Sequence, residues 1–293
     1  MKFAAIDIGS NAVRLLFTHV HEIDGKAVFR KSSLVRLPVR LGEDVFKTKN
    51  ISERNTERLA KSMLAFRNLI EVHEVVSFRA CATSAMREAQ NGNQVVDFVK
   101  DFSGITIDII EGQEEADIIY STGIAEMLDA KNAYLYIDVG GGSTELSVFY
   151  NQEKLHSKSF NIGTLRLLNN TVTKVEWQDF KTWIKDSTKQ FEKVIGIGSG
   201  GNINKIRKLA KTKDGKSISY RKMQEIDKFL KQYTYDERVE VLGLNPDRAD
   251  VILPASKIFL NTMKTAAIKE IIVPQMGLSD GIVRTLYWQQ KNQ

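Results

Sequence analysis

The segment "YLYIDVGGGSTEL", Tyr134–Leu146, decides the fold of this chain, because an apolar run leads through an aspartate into three consecutive glycines. Ser143, Thr144 and Glu145 follow, and then a second β-like run begins. Glycine lets the backbone turn sharply and lets a ligand approach the amides. The pattern therefore predicts a β-hairpin that carries the Asp138 carboxylate beside its turn and presents backbone N–H groups there.

The same device occurs at the start of the chain. "FAAIDIGSNAVRLLF", Phe3–Phe17, also runs from an apolar strand through Ile-Asp-x-Gly into small polar residues and a second strand. Asp7 and Asp138 are 138 − 7 = 131 residues apart in a chain of 293, which predicts two homologous domains. Neither loop fits a P-loop or a dinucleotide fingerprint, whereas amides beside a carboxylate suit phosphate and its accompanying cation.

Apolar periodicity predicts alternating helices and strands in both halves. Apolar residues recur at helical spacing from Leu59 to Ile70, which indicates an amphipathic helix that begins at Ser52. We predict an α/β fold of two domains with mixed sheets, 1–127 and 128–293, flanking a cleft where the two loops face each other. The helix after Gly277 is a candidate to pack back on the first domain.

Composition is that of an ordinary globular protein, with 42% hydrophobic and 27% charged residues. Asp7 and Arg14 interrupt the N-terminal apolar run, so we expect neither a signal peptide nor a membrane span and predict a cytoplasmic protein. One cysteine excludes an intrachain disulfide, and the four histidines lack zinc-site spacing.

A basic run extends from Lys205 to Lys231, with ten Lys or Arg against three acidic residues. Two interpretations stay open. The run is either a solvated helical face or a surface for an anionic partner such as nucleic acid, a nucleotide or polyphosphate.

The segment "ATSAMREA", Ala82–Ala89, follows a predicted strand and begins a helix. Thr83 and Ser84 are predicted to cap this helix, and the backbone amides at its N-terminus would attract an anion. Arg87 either binds phosphate or pairs with Glu88 or solvent. Cys81 and Arg87 have the C-x5-R spacing of cysteine phosphatases, but the intervening loop has no glycine. We therefore interpret Cys81 as a small buried residue.

Two more segments are candidates. "EGQEEADII" places Glu114 and Glu115 in the first turn of a helix, where acidic residues often only complement the helix dipole. "IGIGSGGNINKI", residues 195–206, places a glycine turn between a strand and a helix, which either approaches a nucleotide or simply turns.

Taken in order, these stretches resemble the exopolyphosphatase and guanosine pentaphosphate phosphatase family, within the actin, hexokinase and heat-shock chaperone ATPase superfamily. The matching stretches are "AAIDIGSNAVRLL", "ATSAMREA", "IIEGQEEADIIY", "IDVGGGSTEL", "GIGSGGN" and "GLSDGIV". The resemblance implies two ribonuclease-H-like domains. It also implies Mg²⁺-dependent removal of terminal phosphate from polyphosphate or the alarmone pppGpp, with Mn²⁺ as an alternative metal.

The resemblance also implies roles for single residues. Glu115 matches the catalytic glutamate that activates water. Asp138 and Glu145 match metal-binding carboxylates, and Asp7 is the candidate metal ligand of the first loop. The residues that match phosphate-binding positions are Ser10, Asn11, Arg87, Gly140, Gly141, Gly142, Ser143 and Thr144. Thr83, at the predicted helix start, is a further phosphate-binding candidate.

Two departures from the family pattern remove one loop donor and one arginine, and we expect them to bear on affinity or substrate choice. Ala12 stands where a second serine is usual, and Ser279-Asp280 replaces an Arg-Glu pair. The chain length suits the short, two-domain members of the family, and we expect a homodimer with no specific nucleic-acid partner. A nucleotide-binding or (p)ppGpp-binding regulator with little turnover is the alternative, and a sugar kinase or a nonspecific nucleic-acid binder is weaker.

Overall fold

A computed structural model describes residues 1–124, 128–211 and 217–292 and divides the chain into two units. The first comprises Met1–Thr122 with Leu278–Gln293, and the second comprises Gly123–Gly277. The predicted boundary after residue 127 falls on 125–127, which lie outside the described residues. The last helix is grouped with the first unit. The sequence placed it in the second domain, as a candidate to pack on the first domain.

The first unit contains a mixed sheet, which in the described residues has five strands in the order β3-β2-β1-β4-β5. The strands are β1 Lys2–Ile8, β2 Val13–Ile23, β3 Lys26–Leu37, β4 Ser77–Ala82 and β5 Ile107–Ile109. The helices are α1 Leu41–Thr48, α2 Glu53–Val72, α3 Ser84–Glu88, α4 Gly92–Ser103 and α5 Gly112–Tyr120. Strands β1, β2 and β3 form an antiparallel meander, which β4 and β5 extend in parallel.

The second unit repeats this topology in a sheet of six described strands, in the order β10-β11-β9-β6-β7-β8. The strands are β6 Ala133–Val139, β7 Thr144–Tyr150, β8 Glu153–Phe160, β9 Val194–Ser199, β10 Ser217–Ser219 and β11 Glu270–Ile272. The helices are α6 Thr164–Leu168, α7 Lys174–Thr188, α8 Gly201–Ala210, α9 Tyr220–Lys231, α10 Tyr235–Glu240, α11 Pro246–Ala249 and α12 Ile252–Thr265. Strands β6, β7 and β8 form the meander, and β9 and β11 are parallel to β6.

The last helix, α13 Leu278–Lys291, packs on the sheet of the first unit. Its buried face joins Phe3, Cys81 and Ile118 in one apolar cluster. Gly281 allows this helix to touch α5, because a Cβ built there would lie 2.0 Å from the carbonyl oxygen of Ile118. The Ser121 hydroxyl, just after α5, donates hydrogen bonds to the carbonyls of Ile118 and Gly281.

The predicted α/β fold with two mixed sheets is confirmed, and so is the helix start at Ser52, whose side chain accepts a hydrogen bond from Asn55 N. Helix α1 was missed because it follows Arg40 in the left-handed region, at φ 61°, without a capping side chain. Strand β10 was also missed, because it lies inside the basic run 205–231, for which a helical face was one of the two interpretations. Within the described ranges, no helix combines the length and apolar character that crossing a bilayer requires.

Cys81 is a core residue of the first unit. It is fully buried on β4, and burial raises the pKa of its thiol to about 12. A thiol with so high a pKa stays protonated near neutrality and is a poor nucleophile. This environment supports the interpretation of Cys81 as a packing residue.

Gly281→Ala should lower the free energy of unfolding by roughly 1–3 kcal/mol, because the added methyl group forces α13 away from α5. Denaturant unfolding of the purified protein measures this change. Gln289→Ala, at an exposed position on the same helix, is the control and should change little. Equal stability of the two variants would contradict the close packing at Gly281.

Cys81 should resist alkylation by iodoacetamide in the folded protein at pH 8, because a pKa near 12 leaves only about one thiol in 10⁴ ionised. Labelling followed by mass spectrometry should show modification only after unfolding in guanidinium chloride. Rapid modification of the native protein would show that the thiol is accessible and ionised.

Candidate active site

The two hairpin loops have the same closure. Gly9 N donates a 3.1 Å hydrogen bond to the Ala12 carbonyl, and Gly140 N donates a 3.0 Å hydrogen bond to the Ser143 carbonyl. A Cβ on either glycine would lie 3.2 Å from the oxygen that accepts this bond. Gly9 and Gly140 are 131 residues apart, and so are Ala12 and Ser143. The repeat seen in the sequence is therefore also a repeat in three dimensions.

The carbonyls of both loops are held by the chain that follows each meander. In the first unit, Gly42 N donates to the Ser10 carbonyl at 2.8 Å. In the second unit, Leu165 N donates to the Gly141 carbonyl at 2.8 Å, and Thr164 N donates to the Gly140 carbonyl at 3.0 Å. These bonds fix the loop backbone without any ligand, as a preorganised anion site requires.

Two residues that hold the second loop were not singled out from the sequence. Gly163 lies so close that a Cβ there would be 2.4 Å from the Gly141 carbonyl oxygen. The buried Arg166 donates from Nε to the Gly142 carbonyl at 2.6 Å. A single glycine and a single arginine carry little signal in a sequence, because their role depends on a tertiary contact.

Ser10 provides an independent indication of a ligand at the first loop. Its side chain is only 3% exposed, and its hydroxyl has no hydrogen-bond partner among the described residues. Buried hydroxyl groups are nearly always hydrogen-bonded in folded proteins. An anion bound at this loop would satisfy the Ser10 hydroxyl.

In the second hairpin two carboxylates lie directly opposite each other. Asp138 on β6 pairs in register with Glu145 on β7, which is 3% exposed and accepts a 2.9 Å hydrogen bond from Ser159 Oγ. Gly200, at φ +104°, packs against this pair, since a Cβ there would lie 3.3 Å from Asp138 Oδ1. Like charges directly opposite on a sheet repel unless a cation lies between them.

The chemistry of this pair fits a divalent cation with oxygen ligands. Mg²⁺ in enzymes is usually held by one or two carboxylates together with water and substrate phosphates. Across the described ranges, no group of three or more His, Cys, Asp or Glu side chains could hold a metal ion. The oxygen donors of Asp138 and Glu145 therefore fit the chemistry of Mg²⁺, and their role as metal ligands stays a prediction.

The first hairpin has a different charge at the equivalent position. Asp7 pairs in register with Arg14, whose Nη1 lies 2.9 Å from Asp7 Oδ2. Arg14 is the counterpart of Glu145, because 14 + 131 = 145. The protein itself thus supplies a positive charge beside Asp7, and the assignment of Asp7 as a metal ligand stays a prediction. The sequence repeat could have drawn attention to Arg14, but it was not singled out.

The structure brings Arg87 and Glu115 together in the first unit. Glu115 is 7% exposed in the first turn of α5, and its Oε2 lies 3.9 Å from Arg87 Nη1. Arg87 Nη1 also donates a 2.7 Å hydrogen bond to the carbonyl of Ile110, just after β5. The alternative pairing of Arg87 with Glu88 is not seen among the described residues, where Glu88 accepts from the Ser84 hydroxyl and lies 4.0 Å from Lys49 Nζ.

The predicted cap of helix α3 is wrong. Thr83 occupies the N-cap position, but its side chain makes no capping hydrogen bond, and Ser84 Oγ donates to Glu88 instead. Thr83 is buried, and its role in phosphate binding stays a prediction.

Three of the eight described basic residues of the run form ion pairs within their own helix. In α9, Arg221 and Lys222 form ion pairs with Glu225, and Lys231 forms one with the buried Asp227. Lys213 and Lys216 lie in 212–216, outside the described residues. The pairing favours a solvated helical face for α9, and binding of a polyanion stays a prediction.

The departure at residues 279–280 has a structural counterpart. Asp280, in the first turn of α13, forms a 2.8 Å ion pair with Lys31 on β3, and Ser279 is nearly buried. The side chains that replace the usual Arg-Glu pair therefore contribute to the attachment of α13.

Comparisons with known proteins agree with this architecture. A bifunctional 3-dehydroquinate synthase/phosphatase of Fusobacterium nucleatum is 31% identical over 274 residues, covering 85% of this chain and 41% of that protein. Exopolyphosphatase 2 of Mycobacterium tuberculosis is 24% identical over 314 residues, covering 97% and 98% of the two chains. This chain thus spans about two fifths of the first relative and nearly all of the second.

A solved structure shows the same fold. The crystal structure of an exopolyphosphatase from Cytophaga hutchinsonii superimposes with a TM-score of 0.81 at 23% identity, covering 99% of this chain and 98% of that one. The sequence profile of the Ppx/GppA phosphatase family matches residues 22–288, which is most of the chain. The chain therefore belongs to the Ppx/GppA phosphatase family.

Proposed function

We propose that this protein is a phosphoanhydride hydrolase that releases terminal phosphate from inorganic polyphosphate or from pppGpp. The observation that carries the proposal is the buried Glu115 beside Arg87, because a base and a phosphate-binding cation are the two groups that water attack requires. The family supports phosphatase chemistry, and the relative of matching length is named an exopolyphosphatase.

Glu115 would act as the general base. It would take a proton from the water whose oxygen attacks the terminal phosphorus, while the bond from that phosphorus to the bridging oxygen breaks. A positioned base contributes roughly 10²- to 10⁴-fold to such a step. Arg87 would neutralise the charge on the phosphoryl oxygens and orient them.

The hairpin loops would hold the phosphates. Ser10 and Asn11, with Arg14 beside them, would bind phosphate through the loop of the first unit. The glycines of 140–142 with Ser143 and Thr144 would do so in the second unit. Asp138 and Glu145 would hold Mg²⁺, with Mn²⁺ as an alternative. When bound, the cation would neutralise negative charge on the substrate oxygens.

Binding without turnover is the alternative function, in which the same loops hold a nucleotide or (p)ppGpp. The arrangement of Glu115 favours hydrolysis, since binding alone needs no buried carboxylate near a phosphate-binding arginine. Phosphate release measured with short polyphosphate, long polyphosphate, pppGpp and ATP would identify the substrate.

Glu115→Gln should lower kcat for phosphate release by roughly 10²- to 10⁴-fold with little change in substrate affinity, because the amide cannot accept the proton. Malachite-green assays measure release, and calorimetry measures binding. Glu57→Gln, an exposed glutamate on α2, is the matched control and should keep full activity. Full activity of Glu115→Gln would refute the mechanism, and a wild-type protein that binds but never turns over would favour the regulator.

Glu145→Gln should raise the Mg²⁺ concentration needed for half-maximal activity by at least roughly tenfold, because one of the two carboxylate ligands is lost. A magnesium titration of the wild type and the variant measures the shift. Glu153→Gln, an exposed carboxylate at the start of β8 in the same sheet, should leave the titration unchanged. Identical curves for Glu145→Gln and the wild type would exclude Glu145 as a ligand.

A further inference from the structure

A second arginine holds the segment that carries Glu115. Arg79, on β4, donates from Nε to Asp108 Oδ2 at 2.8 Å and from Nη2 to Glu114 Oε1 at 2.9 Å. The Arg79 side chain is 30% exposed, and those of Asp108 and Glu114 are 47% and 45% exposed, so the fork lies at the surface of the first unit. One planar guanidinium therefore joins three elements of the first unit, namely β4, β5 and the first turn of α5.

Helix α5 depends on such attachments. It has only nine residues, and its N-cap residue Glu111 makes no side-chain capping hydrogen bond. The far end of the helix is held by α13, where Ile118 packs against Gly281. Near the first turn, the recorded side-chain attachments include the bonds from Arg79 and the bond from Arg87 to the Ile110 carbonyl.

The bond to Glu114 also restrains the neighbouring Glu115. Consecutive residues of an α-helix project about 100° apart around its axis, because a turn contains about 3.6 residues. Holding Glu114 against Arg79 therefore restrains the rotation of the first turn, on which the direction of Glu115 depends. In the observed rotation, the Glu115 carboxylate is buried and lies 3.9 Å from Arg87.

We propose that Arg79 is a positioning residue for the general base, acting through Asp108 and Glu114 without touching the substrate. This inference rests on the proposed function, since it assigns Arg79 a part in the hydrolysis by Glu115. A guanidinium that donates two hydrogen bonds suits this role, because its planar fork sets the direction of both carboxylates as well as their distance. A lysine has no such fork and would not replace it.

Arg79→Met should lower kcat for phosphate release by roughly 10- to 100-fold, because a small misplacement of a catalytic group costs about this much. KM should change less than about threefold, since the phosphate-binding loops are untouched. Arg67→Met is the matched control: Arg67 pairs with Glu71 on the surface of α2, and its loss should leave kcat unchanged. Glu114→Ala is the second variant and should reproduce the loss of kcat, whereas Arg79→Lys should not restore it.

A double variant separates positioning from general damage to the fold. If Arg79 acts through Glu115, the pair Arg79→Met with Glu115→Gln should be no slower than Glu115→Gln alone. A further loss of the same size as in the wild-type background would overturn the proposal, because it would show that Arg79 acts independently of the base.

Hydrogen exchange tests whether Arg79 holds the first turn of α5, even if the protein proves to have no turnover. Amides of 111–120 should exchange at least roughly tenfold faster in Arg79→Met than in the wild type, while those of α2 and α4 stay unchanged. If the wild-type protein releases no phosphate but the amides of 111–120 exchange faster in Arg79→Met, the proposed function is refuted. The attachment of α5 by Arg79 is then still established. Unchanged exchange at 111–120, or equally faster exchange everywhere, would overturn the inference.

Discussion

A single backbone hydrogen bond closes each hairpin, from Gly9 to Ala12 in the first unit and from Gly140 to Ser143 in the second. Because this bond sets the register of the two strands, the residue seven positions after each aspartate always lies opposite it. The closure favours glycine, since a Cβ would lie 3.2 Å from the carbonyl oxygen that accepts the bond, which is tighter than an ordinary contact. The tight turn thus decides which side chain faces each carboxylate.

The two units have used this shared geometry in different ways. Position 14 holds an arginine that forms an ion pair with its aspartate, and position 145 holds a glutamate that adds to the negative charge. The aspartate of the first hairpin therefore has a positive partner within the hairpin, whereas the second hairpin places two carboxylates opposite each other, the ligand type that Mg²⁺ prefers.

The sequence was sufficient to predict features that depend on local patterns. The duplicated Ile-Asp-x-Gly runs predicted both hairpins, and the spacing of apolar residues predicted α2. It was not sufficient where a role arises from contact between distant segments. Gly163 and Arg166 hold the glycine loop through its carbonyls, and their neighbours in sequence give no sign of this. Helix α1 was not predicted because Arg40, with its backbone in the left-handed region, stands at the N-cap in place of a capping side chain.

The placement of α13 has a consequence for folding. This helix completes the apolar core of the first unit, although 155 residues, 123–277, separate it from the rest of that unit. During synthesis the first sheet therefore forms without its last covering helix and exposes the apolar face around Phe3 and Ile118 until α13 emerges. Folding of the second unit in the meantime shortens the effective loop and reduces the entropy lost when α13 docks. The first unit thus begins to be translated before the second unit, but it is completed only after the second unit has been made.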